Sequence, residues 1–395
     1  MPVINRIAEF HDDMTAWRRD IHRHPELAMH EERTSALVQE KLRGFGVDEI
    51  ITGLAGTGVV GVIHGRKDGG QGKGGAIGLR ADMDALPIQE ETGVEYASET
   101  PGVMHACGHD GHTAMLLGAA RYLAETRNFA GDVYVIFQPA EENFAGGKVM
   151  VEDGLFERCP VERIFGLHNW TAAPEGVFQW RVGPIMAAVA NIEIVVTGRG
   201  AHGAHPDAGI DPVVVAAAIV SALQTLVSRN LDPTASAVVT IGSIQGGRIY
   251  NVIPEQVKML GTARWFTPEV GALLEAGVAR IARGVAEGFG AKAEVVFDRT
   301  YPATVNEADS TALAVRAAEA VVGRARVSEA AHPTMGGEDF AYMLEKKPGA
   351  YLWLGAQTGC DAQAHHPRFN FNDAILPLGA SWFATLAEQI LPRND

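Results

Sequence analysis

The segment 104–110, MHACGHD, sets a thiolate donor, Cys107, two residues from an imidazole donor, His109, in a turn that carries a glycine. Three further segments repeat the theme, each at the end of an expected strand: PAEE with Glu141 and Glu142, GLHNW with His168, and AHHPRF with His365 and His366. Borderline-soft cations such as Zn²⁺ and Mn²⁺ accept a mixture of sulfur, imidazole and carboxylate, whereas Mg²⁺ and Ca²⁺ select oxygen. The mixture therefore points to a transition-metal site.

Each candidate has a plainer reading beside it. Glu141 and Glu142 could be a solvated acidic pair in a loop, but Pro139 and the Gly146-Gly147 pair favour an active-site turn. Adjacent residues at a strand end point in opposite directions, so one carboxylate can bind metal while the other accepts a proton from water and passes it to a leaving nitrogen. A free cysteine is usually a buried apolar thiol; the flanking histidines and glycines argue otherwise for Cys107, whereas Cys159 and Cys360 have no such company and read as inert. His105 and His112 read as supporting or helix-start residues. Of His365 and His366 one is expected to reach a metal, since neighbouring side chains diverge, and the residues alone leave both open. The histidines of HRHPELAMHE, 22–31, read as structural or surface residues, and His11, His64 and His332 carry no signal.

A chain of 395 residues exceeds one ordinary core and fits two domains. Its 47% hydrophobic and 21% charged residues are those of a soluble globular protein. A formal net charge of -15 argues against a nucleic-acid partner, which leaves a basic footprint, and for small-molecule chemistry. Three cysteines with no framework spacing suggest a reducing, cytoplasmic setting, and the first residues lack the pattern of a signal peptide. The longest apolar run, 213–227, follows Asp211-Pro212, a good N-cap and first-turn pair; it reads as a buried amphipathic helix, too short for a membrane span.

The elements that must position these residues follow from periodicity. Residues 4–45 read as helix broken near His24-Pro25, with a second run over 31–42 ended by Gly44. A strand at 59–64 follows, then a glycine- and lysine-rich spacer at 65–76, an exposed hairpin connection. Residues 56–61, GTGVVG, match a dinucleotide-binding pattern, but the β-branched run that follows is a strand where that motif needs a helix. Strands at 76–80, 133–138 and 163–167 alternate with helices at 112–125 and 147–153, which predicts a mostly parallel sheet with ligands in the crevice beyond its carboxyl ends. From residue 191 the order becomes strand, helix, two strands, helix, strand, a ferredoxin-like unit. The expectation is an α/β catalytic domain over 1–186 and 304–395, three-layered and mostly parallel, interrupted by an α+β domain over 187–303.

The motifs together resemble the amidohydrolase branch of the aminoacylase and carboxypeptidase G-type metallopeptidase family, which includes hippurate hydrolases, N-acyl-amino-acid amidohydrolases and auxin-conjugate hydrolases. The resemblance runs through HRHPEL (22–27), RADMDALP (80–87), MHACGHD, FQPAEE (137–142), GLHN (166–169), GAHGAHPD (200–207), NVIP (251–254), GGEDF (336–340) and HHPRFNFND (365–373). It implies two divalent ions, zinc, manganese, cobalt or nickel, held by Cys107, His109, Glu142, His168 and His365. It casts Glu141 as general base and Asp84 as the residue that orients a ligand. It also implies that the inserted domain acts as a lid, makes a homodimer or dimer of dimers, and lends His202 to the partner's site to stabilise an oxyanion, with Asn251 and Arg264 contacting substrate. The implied reaction is hydrolysis of an N-acyl amino acid, such as an N-acetyl or N-benzoyl conjugate. An exopeptidase using the same metals, or a catalytically dead binding protein, are the alternatives; the second should have lost the base or a ligand.

Overall fold

The computed structural model describes residues 3–66, 75–330, 332–358 and 362–393, so positions 67–74 of the spacer and Cys360 lie outside the described residues. In chain order the strands are β1 Glu49–Leu54, β2 Gly58–His64, β3 Ala76–Asp82, β4 Asp132–Gln138, β5 Arg163–Trp170, β6 Phe178–Trp180, β7 Ala188–Thr197, β8 Ala237–Gly246, β9 Gln256–Trp265, β10 Lys292–Tyr301, β11 Val327–Glu329 and β12 Gly349–Gly355. The helices that matter here are α1 His11–Arg23, α2 Glu32–Phe45, α3 His109–Thr126, α4 Gly146–Glu152, α5 Pro212–Thr225, α6 Pro268–Gly288 and α7 Leu376–Ile390.

The chain divides into a larger unit, Met1–Ile185 with Thr304–His332 and Glu338–Asp395, and a smaller one, Met186–Ala303 with Pro333–Gly337. The larger unit holds an eight-stranded sheet in the order β1-β2-β4-β3-β5-β12-β6-β11. Its centre, β4-β3-β5-β12, is parallel. The flanks break the pattern: β1 and β2 form a hairpin, β2 runs antiparallel to β4, and β6 runs antiparallel to β12 but parallel to β11. The sheet is thus mixed rather than mostly parallel, because a tight turn such as that at Ala55–Thr57 can join only antiparallel neighbours. β1 was absent from the sequence reading; its burial pattern lacks a clean alternation. GTGVVG opens β2, a strand with six buried residues, and no helix follows the glycines.

Helix α3 is the spine of this unit. Fourteen of its residues are buried, so it carries no polar stripe, and it packs between β3 and the helices α1, α2 and α7. Its start, rather than its middle, brings the chemistry. Helix α2 closes two residues later than expected: Gly46, not Gly44, adopts the left-handed conformation, φ 75°, that closes a helix.

In the smaller unit the four strands order as β8-β9-β7-β10, all antiparallel, with α5 and α6 packed on the sheet. Pro333–Gly337 groups with this unit although it lies outside 187–303, because Met186 bridges to Thr334 and the Ala187 amide donates to the Gly336 carbonyl at 2.9 Å. With the π turn that follows it, α5 runs 19 residues, Pro212–Asn230, at a mean hydropathy of 1.6, so it is long and apolar enough to cross a bilayer. Only one of its faces is buried: Val215, Ile219 and Leu223 join the core of the four-stranded sheet while Val213 and Val214 are exposed.

Candidate active site

Gly108 makes the site possible. Its φ of 104° turns the chain so that Cys107 and His109, on either side of it, serve one centre, and a Cβ there would run into the side-chain amide of Asn169. The Sγ of Cys107 lies 3.3 Å from Nε2 of His168, whose Nδ1–H donates to the Asn169 carbonyl at 2.6 Å. His168 stands inside β5 rather than after it. The Nδ1 of His109 is 3.0 Å from both the carbonyl and the carboxylate of Asp84. That bond sets the tautomer and leaves Nε2 as a lone-pair donor.

Among the described residues five groups of donor atoms fall within 4.8 Å of one another, and three of them hold the expected ligands: Cys107, His109 and His168; Cys107, Glu142 and His365; and His109, Glu141 and Glu142. All five expected metal ligands and the expected base are therefore brought together, and Cys107 is common to two of the groups. His109 Nε2 and Glu142 Oε1 are buried and neither makes a well-aligned hydrogen bond, although the His365 ring stands 3.2 Å from the latter. A buried polar atom without a partner is expensive, and two such atoms facing a thiol, an imidazole and a second carboxylate fit divalent transition-metal ions.

The two candidate histidines separate. Nε2 of His365 is 3.2 Å from Glu142 Oε1, whereas Nδ1 of His366 accepts the Arg368 amide at 3.0 Å and closes a local turn. His365 sits at φ 66°, a strained conformation for a residue with a Cβ, held by the hydrogen bond its backbone amide donates to the Ala106 carbonyl at 2.7 Å. Glu141 and Glu142 do not diverge as strand residues would, because β4 ends at Gln138 and they lie in a turn; His109 Nε2 is 4.0 Å from one and 3.9 Å from the other. The turn is bounded by left-handed Ala140, φ 56°, and Ala145, φ 51°.

A second layer of charge was not legible in the sequence. Arg80 is fully buried and pairs with Asp82 at 2.8 Å, Glu338 at 2.9 Å and Asp339 at 3.1 Å. Asp339 also accepts from Gln138 at 2.8 Å and from the Gly147 amide at 2.7 Å, and its own amide donates to Glu141 at 3.4 Å. An arginine inside the apolar strand AIGLRAD was the available signal, since a buried cation demands partners. His112, which reads from the sequence as a supporting or helix-start residue, spans Asp82 and Asn169 at 2.6 Å each.

Burial first, then the charges of Glu338, Glu142 and Asp339, raise Glu141 well above the usual carboxylate range. Burial and Glu142 push the Cys107 thiol up. Burial, with His112 nearby, lowers His168 well below the ordinary imidazole value, so it is neutral and free to ligate. The neighbouring Cys107 and Glu142 side chains raise His365 to about 10. The cluster thus packs acidic groups whose charged forms burial and mutual repulsion disfavour, a setting that draws positive charge.

His202, Asn251 and Arg264 belong to the smaller unit. His202 and Asn251 meet there: Val252 pairs with His202, and the Gly203 amide donates to the Asn251 carbonyl at 2.7 Å. His202 is exposed, and its Nδ1 accepts the Ala204 amide at 3.0 Å. Arg264 lies on β9, half-buried, with Nε donating to Thr262 at 3.1 Å.

An α/β fold that gathers Cys, His and carboxylate donors around a raised, buried glutamate is that of a metal-dependent hydrolase. The chain belongs to peptidase family M20/M25/M40, whose model matches residues 78–389. It is 40% identical over 383 residues to an N-acetylcysteine deacetylase of Bacillus subtilis, covering 97% of this chain and 98% of that one. It is 39% identical over 391 residues to a hippurate hydrolase of Campylobacter jejuni, covering 99% and 100%. Among solved structures, a dinuclear metal-binding peptidase of family M20 from Bacillus subtilis, the YXEP protein, superposes with a TM-score of 0.83 at 37% identity, covering 97% of this chain and 99% of that chain.

Proposed function

We propose that this protein hydrolyses the amide bond of N-acyl amino acids, releasing a carboxylic acid and a free amino acid. The observation that carries the reading is the convergence of Cys107, His109, Glu142, His168 and His365 beside Glu141, in a chain similar throughout to a hippurate hydrolase and an N-acetylcysteine deacetylase. Those five residues would hold two divalent ions, which when bound polarise an amide carbonyl and acidify water. Glu141 takes the water's proton and delivers it to the departing nitrogen; its pKa, raised by burial and the neighbouring carboxylates, favours holding that proton before passing it on. Asp84 fixes the His109 ring and holds the Glu142 amide at 2.9 Å, so it orients two ligands at once.

The smaller unit supplies the rest of the reading: a lid that makes a homodimer, with His202 stabilising developing negative charge in the partner's site and Asn251 and Arg264 contacting substrate. Its support is the surface beside His202, where Ile249 is 56%, Tyr250 98% and Val252 50% exposed, and the free edge of β8. A reducing, cytoplasmic setting belongs to the same reading, with Cys107 and Cys159 as free thiols.

The purified protein, loaded in turn with Mn²⁺, Co²⁺, Zn²⁺ and Ni²⁺, is to be assayed on hippurate, N-acetyl amino acids and dipeptides. Cleavage of acyl conjugates over dipeptides is the expected result; the reverse order makes it an exopeptidase. No turnover with any of the four ions, together with no bound metal, would sink both. Glu141→Gln should keep its metal and lose about 10² or more in kcat. Sedimentation as a monomer at assay concentration would remove His202 from a partner's site.

A further inference from the structure

We propose that Glu31 is a positioning residue for the reaction, holding the turn that carries the base through the backbone amide of Ala140. The inference rests on the role given to Glu141 above. Glu31 is fully buried at the start of α2, and Ala140 is equally buried immediately before Glu141. Oε1 of Glu31 accepts the Ala140 amide at 2.9 Å and the Met29 amide at 3.2 Å, while Oε2 accepts the Thr57 hydroxyl at 2.8 Å.

Three features separate this contact from ordinary packing. The first is its place. Ala140 occupies the left-handed region, φ 56°, where a residue with a Cβ stays only if its surroundings hold it. That conformation turns the chain out of β4 and closes the turn through the Gly146 amide, which donates to the Ala140 carbonyl at 2.9 Å. A relaxed Ala140 would re-aim both glutamates that follow it.

The second is the choice of residue. Its hydrogen-bond partners are all neutral donors, so burial pushes the Glu31 carboxyl up to about 7. An acid is an expensive way to fill such a space, and a chain that needed only packing would be better served by an apolar side chain. What the carboxylate provides is two oxygens that accept from three donors on separate segments: the turn of the base, the hairpin before β2, and the strained Met29 at φ 66°.

The third is the pattern. Three carboxylates from distant parts of the chain each take one amide of the same stretch: Glu31 that of Ala140, Asp84 that of Glu142 at 2.9 Å, and Asp339 that of Gly147 at 2.7 Å. Asp84 and Asp339 also engage His109 and Arg80, so their removal would disturb several things together. Glu31 touches the turn through its backbone alone, which makes its effect separable.

The test uses the metal-loaded full chain with Glu31→Ala, Glu31→Gln and Thr57→Val. Three quantities are read: kcat and KM on the best N-acyl amino acid, bound metal by elemental analysis, and amide exchange of the peptide spanning 138–147. Glu31→Ala should lower kcat by about ten- to a hundredfold, the scale of a displacement of about 1 Å, with KM and metal content kept and exchange at Ala140 accelerated. Glu31→Gln keeps an acceptor oxygen and should restore most of kcat; Thr57→Val should fall in between. If Glu31→Ala fails to fold, Thr57→Val gives the decision by the same signs. Wild-type kcat or unchanged exchange overturns the proposal, as does a loss of metal in proportion to activity, which would make Glu31 a support for the ligands instead. Should the unaltered protein cleave no N-acyl amino acid, the proposed function fails, while the exchange measurement still decides whether Glu31 holds the turn.

Discussion

His22 should make the stability of the larger unit depend on pH in a defined window. It is fully buried, with Nδ1 2.9 Å from Asp110 and Nε2 3.3 Å from Glu90. Burial opposes its charge, but the hydrogen bonds to Asp110 and Glu90 prevail and raise it from 6.5 to about 9. The difference of about 2.5 units corresponds to about 3 kcal/mol at about 1.4 kcal/mol per unit. Asp110 is held well below the usual carboxylate range by the same contact, so its share is not added. The folded state binds the extra proton; the contribution is therefore complete below pH 6.5, declines as pH rises, and is gone once pH has passed about 9. The perturbation is His22→Gln, which does not titrate. The assay is urea unfolding at pH 6 and pH 10, followed by tryptophan fluorescence. Trp17, Trp170, Trp180, Trp353 and Trp382 all belong to the larger unit and Trp265 alone to the smaller, so the signal reports the unit that contains His22. The stability gap between wild type and variant should shrink by about 3 kcal/mol from the lower to the higher pH. A gap of equal size at both would refute the assignment of a charged His22.

Other consequences can be checked as directly. His365→Ala should cost about 10- to 100-fold in metal affinity or turnover, whereas His366→Ala, which opens only a local turn, should leave both near wild type; equal effects would mean that the two residues share the role. Arg80→Leu strands Asp82, Glu338 and Asp339 as buried anions and should destabilise the chain by about 3–5 kcal/mol, measured by denaturant midpoint; a loss below about 1 kcal/mol would show that the network is not held by that charge. Gly108→Ala forces a strained left-handed residue against Asn169, so bound metal should fall even in protein that still folds, and full occupancy by elemental analysis would contradict the role given to that turn.

What the residues alone determined were the donors and the local elements. Cys107, His109, His168, the Glu141–Glu142 pair and the His365–His366 pair could be named because their chemistry is intrinsic to the side chain, and strands such as β3, β4 and β5 because apolar runs between turn residues leave little alternative. The ends of elements were less secure: Gly44 and Gly46 are equally plausible helix stops until one of them takes a positive φ. Tertiary structure decided everything that depends on direction and on distant partners. It made the sheet mixed, since strand polarity follows from which neighbours pair. It set His365 rather than His366 beside Glu142, since the second closes its own local turn. It attached Pro333–Gly337 to the smaller unit through two backbone contacts that no composition records. The buried support around Arg80, Asp339 and Glu31 was likewise hidden, apart from the oddity of an arginine in an apolar strand, for a physical reason: a charged side chain reads as exposed until the fold shows what meets it, and the pairs Arg80–Glu338, Glu31–Ala140 and Asp339–Gly147 are 258, 109 and 192 residues apart along the chain.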